Sequence, residues 1–212
     1  QASFDNTFGG PNRAPKFMMP NTISYLLRKA KQSKDTGLLQ YVTTTLNKMA
    51  YGGIYDHIGG GFSRYSVDKK WHVPHFEKML YDNAQMVSLY SNAYLATKDN
   101  LYKEVVTQTL AFVARECTNS EGAFYSSFDA DSLTKDGVLE EGAYYVFTKE
   151  ELTKELGEDV ELFSTYYNIN SFGLWENNHY VLIRSKSDPE VCAAFGITNQ
   201  ELQNKKEGWR KA

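Results

Sequence analysis

Residues that could do chemistry are concentrated in one stretch, residues 71–85, which reads WHVPHFEKMLYDNAQ. It places two histidines, a glutamate, an aspartate and an asparagine within fifteen positions. Imidazole side chains change charge near neutral pH and therefore suit proton transfer. A carboxylate or amide on the buried side of a helix is costly unless it has hydrogen-bond partners. Asp82 and Asn83 are therefore predicted either to take part in catalysis or to brace the neighbouring loop.

The segment before this stretch, DHIGGGFSRYS, surrounds three consecutive glycines with Asp56, His57, Arg64 and Tyr65. Glycine permits close backbone approaches that other residues forbid, which suits a loop folding over the mouth of a cavity. The GxGxxG spacing and the Walker A pattern are both absent, so the loop is not a phosphate-binding signature. An ordinary connector is the alternative, although the interleaved ionisable and aromatic residues argue against it.

No metal and no cofactor are predicted. Three of the four histidines, His57, His72 and His75, lie within nineteen positions, but no HExxH pattern or cysteine pair accompanies them. The acidic segment DADSLTKDGVLEEG departs from the EF-hand pattern at its fifth position, where Leu133 stands. It is either a solvated acidic hairpin or a source of carboxylates for a pocket. Its carboxylates are Asp129, Asp131, Asp136, Glu140 and Glu141.

Helical hairpins must position these side chains, because apolar residues recur at helical spacing in four segments. The predicted helices cover about residues 21–34, 36–51, 74–97 and 101–117. Two aromatic runs, at 123–128 and 143–147, predict strands that flank the acidic segment. Capping boxes predict two further helices. These boxes are Thr148 with Glu151, opening a helix through Leu156, and Thr198 with Glu201.

The third predicted helix would begin at Pro74, because proline has no N–H to lose at the first helical position. One stripe of this helix should then face the core. Its members are Phe76, Leu80, Asn83, Val87, Tyr90 and Tyr94. His75 and Asp82 would share the adjacent stripe, about 10 Å apart along the axis. Glu77 would lie in the first turn, where the helix dipole favours an anion.

Composition excludes several classes of function. With 23 Lys and Arg against 26 Asp and Glu, the net charge is -3 and the pI about 5.9, so nothing favours a nucleic-acid partner. No run approaches the roughly 18 apolar residues of a membrane span. Cys117 and Cys192 fit neither a disulfide framework nor a CxxC motif and should be buried and unreactive. We expect a cytoplasmic protein without a nucleic-acid or membrane partner.

Four segments together resemble one known family: FGGPNRAPKF, GGIYDHIGGGFSRYSVDKKWHVPHFEKMLYDNAQ, GAFYSSFDADS and EEGAYYVFT. They are similar to the spermatogenesis-associated protein 20-like family of thioredoxin-domain-linked proteins. Members usually carry a thioredoxin-like domain followed by an (α/α)6 toroid like that of N-acylglucosamine 2-epimerase and six-hairpin glycosidases. The resemblance implies a mainly α fold. Residues 1–212 would form a single domain, about half of an (α/α)6 toroid with short β-hairpin insertions.

The resemblance also implies parts outside this chain. A thioredoxin-like domain would precede Gln1, and the second half of the toroid would follow KKEGWRKA. Because a toroid closes only when its last hairpin meets its first, self-association through the incomplete toroid is a further expectation. Leu174 stands where the family usually has asparagine.

A carbohydrate-active domain is the function that the resemblance implies, either a sugar epimerase or isomerase or a glycosidase-like hydrolase. Epimerisation needs a base such as His57 or His75, whereas hydrolysis needs two carboxylates, Asp82 with Asp129 or Asp131. Further residues are predicted to bind a carbohydrate substrate: Arg64, Tyr65, Trp71, Glu77, Asn83, Tyr125, Glu140, Tyr145 and Trp175. The rival hypothesis is a non-catalytic ligand- or protein-binding module attached to a thioredoxin-like redox domain.

Overall fold

The structure is a computed structural model, and it describes residues 3–212. The chain divides into two compact units, Gln1–Tyr144 and Tyr145–Ala212. Each unit is built mainly from helices, with short antiparallel strand pairs, as predicted.

The first unit contains the two predicted helical hairpins. Its helices are α1 (Pro20–Ser33), α2 (Thr36–Tyr51), α3 (Leu80–Thr97) and α4 (Asn100–Arg115). Its strands are β1 (Lys16–Phe17), β2 (Tyr65–Ser66), β3 (Lys78–Met79), β4 (Ser127–Phe128), β5 (Asp131–Leu133) and β6 (Leu139–Glu141). They pair antiparallel, β1 with β2, β3 with β4 and β5 with β6.

Tyr90 of α3 contacts α2, α4 and the glycine-rich loop. Its ring is fully buried and lies 5.5 Å from the rings of both Phe62 and Tyr102. Its hydroxyl donates to the Leu46 carbonyl oxygen at 2.7 Å, which satisfies a polar group that would be costly to bury alone. One aromatic side chain therefore joins α2, α3 and α4 to the glycine-rich loop.

The third helix begins at Leu80, so the prediction that it begins at Pro74 is wrong. Residues 74–79 are extended instead, because their backbone finds partners on both sides. On one side, N–H···O bonds of 2.9 Å join the segment to Arg64 and Tyr65. On the other side, β3 pairs with β4. These tertiary hydrogen bonds outweigh the local preference for a helix start at proline.

Side chains of this extended segment alternate between its two faces. Pro74, Phe76 and Lys78 are buried, whereas His75 and Glu77 are partly exposed. This period of two is that of a strand. His75 and Glu77 therefore share the outer face, roughly 7 Å apart at strand spacing. The predicted helical stripe through His75 and the predicted first-turn position of Glu77 are both corrected.

The core face of α3 differs in part from the predicted stripe. The buried residues are Asn83, Met86, Leu89, Tyr90 and Ala93. Asn83 and Tyr90 are confirmed, whereas Leu80, Val87 and Tyr94 are only partly buried. The face is rotated because α3 packs against both α1 and α4.

The two aromatic runs contribute strands on either side of the acidic segment, as predicted, but these strands are short and do not pair with each other. Within the first run only Ser127–Phe128 is a strand, and it pairs with β3. The second run ends in β7 (Phe147–Thr148), which pairs with β8 (His179–Tyr180) inside the second unit. The acidic segment forms its own hairpin from β5 and β6, which matches the hairpin alternative.

The second unit carries three capping boxes. Its helices are α5 (Lys149–Leu156), α6 (Val160–Tyr167), α7 (Asp188–Phe195) and α8 (Asn199–Trp209), with a 3-10 turn at Gly157–Asp159. The boxes at Thr148 and Thr198 are the predicted ones and are confirmed. A third, at Ser187, satisfies the first turn of α7 by the same Ser-x-x-Glu spacing.

Buried charges in the second unit are paired. Asp188 accepts hydrogen bonds from the Tyr166 hydroxyl at 2.7 Å, from Lys206 Nζ at 3.3 Å and from Arg184. Burial alone would raise the pKa of Asp188, but the charges of Arg184 and Lys206 outweigh it and hold the pKa below its ordinary value. This network has a structural role, because it neutralises charges that helix packing removes from water.

No helix within residues 3–212 is long and apolar enough to cross a bilayer. Cys117 and Cys192 are buried free thiols, as predicted. Burial raises the pKa of both, which disfavours the reactive thiolate.

Candidate functional site

A buried ion pair holds the glycine-rich loop. Lys78 Nζ donates to Asp56 Oδ2 at 2.7 Å and to the Gly60 carbonyl oxygen at 2.9 Å. The Lys78 side chain is 2% exposed, and Nζ lies 4.5 Å from the centroid of the Phe112 ring. Burial alone would raise the pKa of Asp56, but Lys78 and two loop N–H groups outweigh it, so the pKa lies below its ordinary value. The carboxylate is therefore ionised at neutral pH.

Asn83 fastens the same loop to α3. Its Oδ1 accepts from the Phe62 N–H at 2.7 Å, and its Nδ2 donates to the carbonyl oxygens of Phe62 at 3.0 Å and Met79 at 2.9 Å. The side chain is fully buried, so these bonds satisfy groups that water cannot reach. Of the two predicted roles, these contacts correspond to bracing the loop.

Glycines let the loop pass close to α4. Gly60 and Gly61 have φ values of +81° and +83°, a region that side chains other than glycine rarely adopt. A Cβ at Gly60 would lie 2.5 Å from the Gln108 carbonyl oxygen, and one at Gly61 would lie 2.6 Å from Phe112 Cδ1. The loop is thus closely packed against α4 at these residues.

Arg64, Glu77 and Asp82 form a charged cluster at the start of α3. Arg64 Nη1 donates to Glu77 Oε2 at 3.1 Å. Asp82, in the first turn of α3, is half-buried. Burial raises the pKa of its carboxyl group to about 6; Arg64 lowers this pKa and Glu77 raises it further. A carboxyl group with such a pKa can exchange protons near neutral pH, as a general acid or base must.

His75 lies between an aromatic ring and a carboxylate. Its ring stacks on Tyr65 with a centroid separation of 4.9 Å and an interplanar angle of 16°. Tyr65 packs in turn against Phe17, 4.9 Å away. Nδ1 of His75 lies 2.8 Å from Glu141 Oε1, and 33% of the histidine side chain remains exposed. An oriented but accessible imidazole can transfer protons.

Glu141 reaches His75 because the end of the β5–β6 hairpin packs on Phe76. Gly142 has a φ of +73°, and a Cβ there would lie 2.4 Å from Phe76 Cε2. The Gly142 N–H donates to the Ala130 carbonyl oxygen at 2.9 Å, which closes the base of the hairpin. The close contact fixes where β6 ends and therefore where the Glu141 side chain begins.

Several predicted site residues are brought together by these contacts. Glu77 shares the outer face of the extended segment with His75 and pairs with Arg64, whose charge also acts on Asp82. The predicted residues linked by these contacts are Arg64, Tyr65, His75, Glu77 and Asp82. We call them, with Glu141, the outer-face cluster.

His57 and Trp71 lie in the interior instead. His57 is buried, and its Nε2 lies 3.1 Å from the Gly52 carbonyl oxygen. Trp71 is 0% exposed; its Nε1 donates to the Phe8 carbonyl oxygen at 2.8 Å, and Lys16 Nζ lies 4.9 Å from its ring centroid. A fully buried ring cannot stack on a sugar. The predicted stacking role of Trp71 is therefore corrected to a core role.

The other candidates of the first unit are open to solvent. Asp129 Oδ1 accepts from the Asp131 N–H at 3.1 Å, which stabilises a local turn. Asp131 and Glu140 are exposed on β5 and β6, and Tyr125 is exposed ahead of β4. These carboxylates thus belong to a solvated hairpin whose last residue, Glu141, contacts His75.

Tyr145 and Trp175 belong to the second unit. Both side chains are half-buried, and the backbone N–H of Trp175 donates to the His179 carbonyl oxygen at 2.9 Å. Across residues 3–212 no group of three or more His, Cys, Asp or Glu residues is arranged to hold a metal ion.

Sequence reasoning named Glu141 only among the carboxylates of the acidic segment and missed both its contact with His75 and the Asp56–Lys78 pair. The alternation of polar and buried side chains around Phe76 is a strand signal that could have revealed the outward direction of His75. No local pattern indicates that Glu141 meets His75, since 66 positions separate them.

Known proteins resemble the chain over most of its length. It is 44% identical to spermatogenesis-associated protein 20 of Homo sapiens over 162 residues, which are 74% of this chain and 21% of that protein. The identity to spermatogenesis-associated protein 20 of Mus musculus is 40% over 196 residues, 88% of this chain and 24% of that protein. The chain thus spans less than a quarter of the length of these relatives. No protein-family model matches it.

Among solved structures, cellobiose 2-epimerase from Bacillus thermoamylovorans is similar, with a TM-score of 0.53 and 17% identity. The similarity covers 66% of this chain and 41% of that one. At this identity the likeness shows the fold, an (α/α)6 arrangement of helical hairpins. Over the matched segment the chain is therefore a homologue of spermatogenesis-associated protein 20, and its helical hairpins have the fold of part of an (α/α)6 toroid.

Proposed function

We propose that this protein carries out acid–base chemistry on a carbohydrate at the outer-face cluster. The observation that carries the proposal is the raised pKa of Asp82, about 6, beside the Arg64–Glu77 ion pair. Carboxyl groups held partly out of water are typical of sites that move protons near neutral pH. The epimerase-like fold supports a sugar as the substrate class.

Epimerisation is the reaction that the cluster favours. It needs groups that take a proton from the carbon beside a sugar carbonyl and return one, and Asp82 and His75 supply two proton-exchanging side chains. Hydrolysis would need a carboxylate pair flanking a glycosidic bond. The predicted partners for that pair, Asp129 and Asp131, lie in the exposed hairpin. Arg64 and Glu77 would hydrogen-bond the sugar hydroxyl groups.

The experiment is a panel of reducing mono- and disaccharides and glycosides incubated with the protein in D2O and followed by proton NMR. Proton abstraction beside the carbonyl replaces that hydrogen by deuterium, and epimerisation adds the signals of a second sugar. Hydrolysis gives new anomeric signals without deuterium on carbon. We expect deuterium incorporation, reduced by about a hundredfold or more in Asp82→Asn.

The matched control is Asp136→Asn, which removes an exposed carboxylate from the turn of the β5–β6 hairpin. This variant should retain the wild-type rate. If no sugar incorporates deuterium or is cleaved, the catalytic proposal is wrong. Equal rates in Asp82→Asn and wild type would remove Asp82 from the mechanism.

A non-catalytic binding module is the second candidate, and one observation favours it. Leu133 and Leu139 face each other across β5 and β6, yet they are 69% and 63% exposed. Contiguous exposed apolar surface is typical of sites that bind another molecule, and this pair would form part of such a surface. Under this alternative, Leu133→Ser with Leu139→Ser should abolish self-association in light scattering, whereas Asp82→Asn should change nothing.

A further inference from the structure

We propose that Glu141 is a positioning residue for His75, fixing the imidazole in the tautomer that carries its proton on Nδ1. Nε2 is then left as the atom that exchanges a proton with substrate. This inference rests on the proposed function and adds to it a contact, between Glu141 and His75, that no sequence pattern indicates.

The hydrogen bond between the two side chains determines the tautomer. An ionised carboxylate can only accept, so the 2.8 Å contact requires Nδ1 to be the donor. A neutral imidazole protonated on Nδ1 has its lone pair on Nε2. Within residues 3–212, Nε2 of His75 makes no hydrogen bond. The side chain is 33% exposed, so the imidazole is open to a ligand.

Two contacts, the Tyr65 ring and the Glu141 carboxylate, restrict the orientation of the imidazole ring. The Tyr65 ring covers one face at a centroid distance of 4.9 Å. Gly142 presses the base of the hairpin against Phe76, the residue next to His75, so Glu141 cannot easily withdraw. Strand spacing places Glu77 on the same outer face, roughly 7 Å from His75. The His75 side chain thus shares its face with Glu77 of the Arg64–Glu77 pair.

The proton balance of the step is simple. Nε2 takes a proton from the carbon beside the sugar carbonyl, and the electron pair of that C–H bond forms the C=C bond of an enediolate, whose negative charge lies on the former carbonyl oxygen. Return of a proton to the opposite face of the same carbon re-forms the carbonyl and gives the epimer. Nδ1 keeps its proton throughout, and Glu141 remains ionised. The carboxylate stabilises the imidazolium that forms, which is the role of the aspartate beside histidine in hydrolytic triads. Glu141 therefore acts through His75 and does not touch substrate.

Tautomers can be read directly by NMR on protein labelled with ring-15N histidine. The chain contains four histidines, so long-range proton–nitrogen spectra stay simple, and His75→Gln assigns the signal of interest. At about pH 8.5, where an ordinary histidine is neutral, we expect Nδ1 of His75 to be the protonated nitrogen. If wild-type protein instead shows Nε2 protonated, the proposal is overturned, whatever any variant does.

Variants then test whether Glu141 determines the tautomer of His75. Glu141→Ala should lower the Nδ1–H share of His75 at least threefold, and Glu141→Gln should lower it less, because an amide oxygen can still accept. Asp136→Ala, in the turn of the same hairpin, should leave it unchanged. An unchanged tautomer in both Glu141 variants would contradict the positioning role.

Kinetics separate this inference from the proposed function. With a sugar identified in the D2O panel, Glu141→Ala should lower kcat at least tenfold with little change in KM, and Glu141→Gln should restore part of it. In a His75→Gln background, Glu141→Ala should cause no further loss, because the two residues act as a unit. A further tenfold loss would show that Glu141 does not act through His75. If the tautomer depends on Glu141 but no sugar reacts, the proposed function fails while the positioning of His75 stands.

Discussion

Lys78 and Asp56, 22 residues apart in the sequence, meet at 2.7 Å and hold the glycine-rich loop in place. The lysine is buried because it lies on the inner face of the extended segment, whereas His75 and Glu77 lie on the outer face. The extended segment thus holds the loop through Lys78 on its inner face and carries the candidate site residues His75 and Glu77 on its outer face. Stability of the loop and geometry of the outer-face cluster are consequently coupled.

Removing the lysine should destabilise the protein strongly. Lys78→Met leaves the Asp56 carboxylate in the interior without its counter-charge, which should lower the free energy of unfolding by about 3 kcal/mol. Urea denaturation followed by circular dichroism measures this. Lys154→Met, at a lysine that is 83% exposed beside Glu155, is the control and should change stability by less than about 0.5 kcal/mol. Similar effects of both substitutions would contradict the buried-pair interpretation.

Asn83 should be needed for its hydrogen bonds rather than for its volume. Asn83→Leu preserves the size of the side chain but leaves the N–H and carbonyl groups of Phe62 unsatisfied, at a cost of about 2–3 kcal/mol. Asn92→Leu, on the exposed face of the same helix, should cost far less. Hydrogen exchange of the Phe62 amide should accelerate only in the Asn83 variant. Unchanged exchange there would refute the bracing role.

Asp82 should make stability depend on pH in an unusual direction. Its pKa is raised in the folded state to about 6, above the ordinary 3.8, so the native state binds the proton more tightly than the unfolded state. The resulting stabilisation is fully present below about pH 4 and is lost as pH rises through 6. Asp82→Asn removes the ionisation and should raise stability at pH 8 by about 1 kcal/mol, a value discounted for partial exposure.

Comparison of melting temperatures at pH 4 and pH 8 tests this expectation. The gain from Asp82→Asn should be present at pH 8 and nearly absent at pH 4. Asp136→Asn should show no such dependence, because that carboxyl group is exposed. A gain of equal size at both pH values would mean that ionisation of Asp82 is not its cause.

Gly142 should be irreplaceable in a way that Gly137 is not. Both have positive φ, +73° and +76°, so alanine strains the backbone at each. Only at Gly142 would the new Cβ also lie 2.4 Å from Phe76, whereas nothing lies within 4 Å at Gly137. Gly142→Ala should therefore cost about 1–3 kcal/mol more than Gly137→Ala in the free energy of unfolding. Equal costs would contradict the close packing of the hairpin on Phe76.

Local sequence signals were sufficient where neighbouring residues decide the structure. Apolar spacing predicted both helical hairpins, and Thr148 and Thr198 predicted the starts of α5 and α8, because a cap bonds to groups within its own first turn. The cost of burying an amide or a carboxylate without hydrogen-bond partners likewise identified Asn83 and Asp82 as residues with a specific role. Motif resemblance supplied the toroid fold and the family.

Tertiary structure decided the rest, and α3 shows why. Proline at position 74 is compatible with a helix start, but hydrogen bonds to Arg64 and Tyr65 on one side and to β4 on the other hold residues 74–79 extended. Those partners are distant in sequence, so local spacing cannot reveal them. The same holds for Glu141, which reaches His75 across 66 positions only because Gly142 packs on Phe76. The sequence by itself determined which residue types were available for chemistry; long-range backbone pairing and close packing decided which of them share a face.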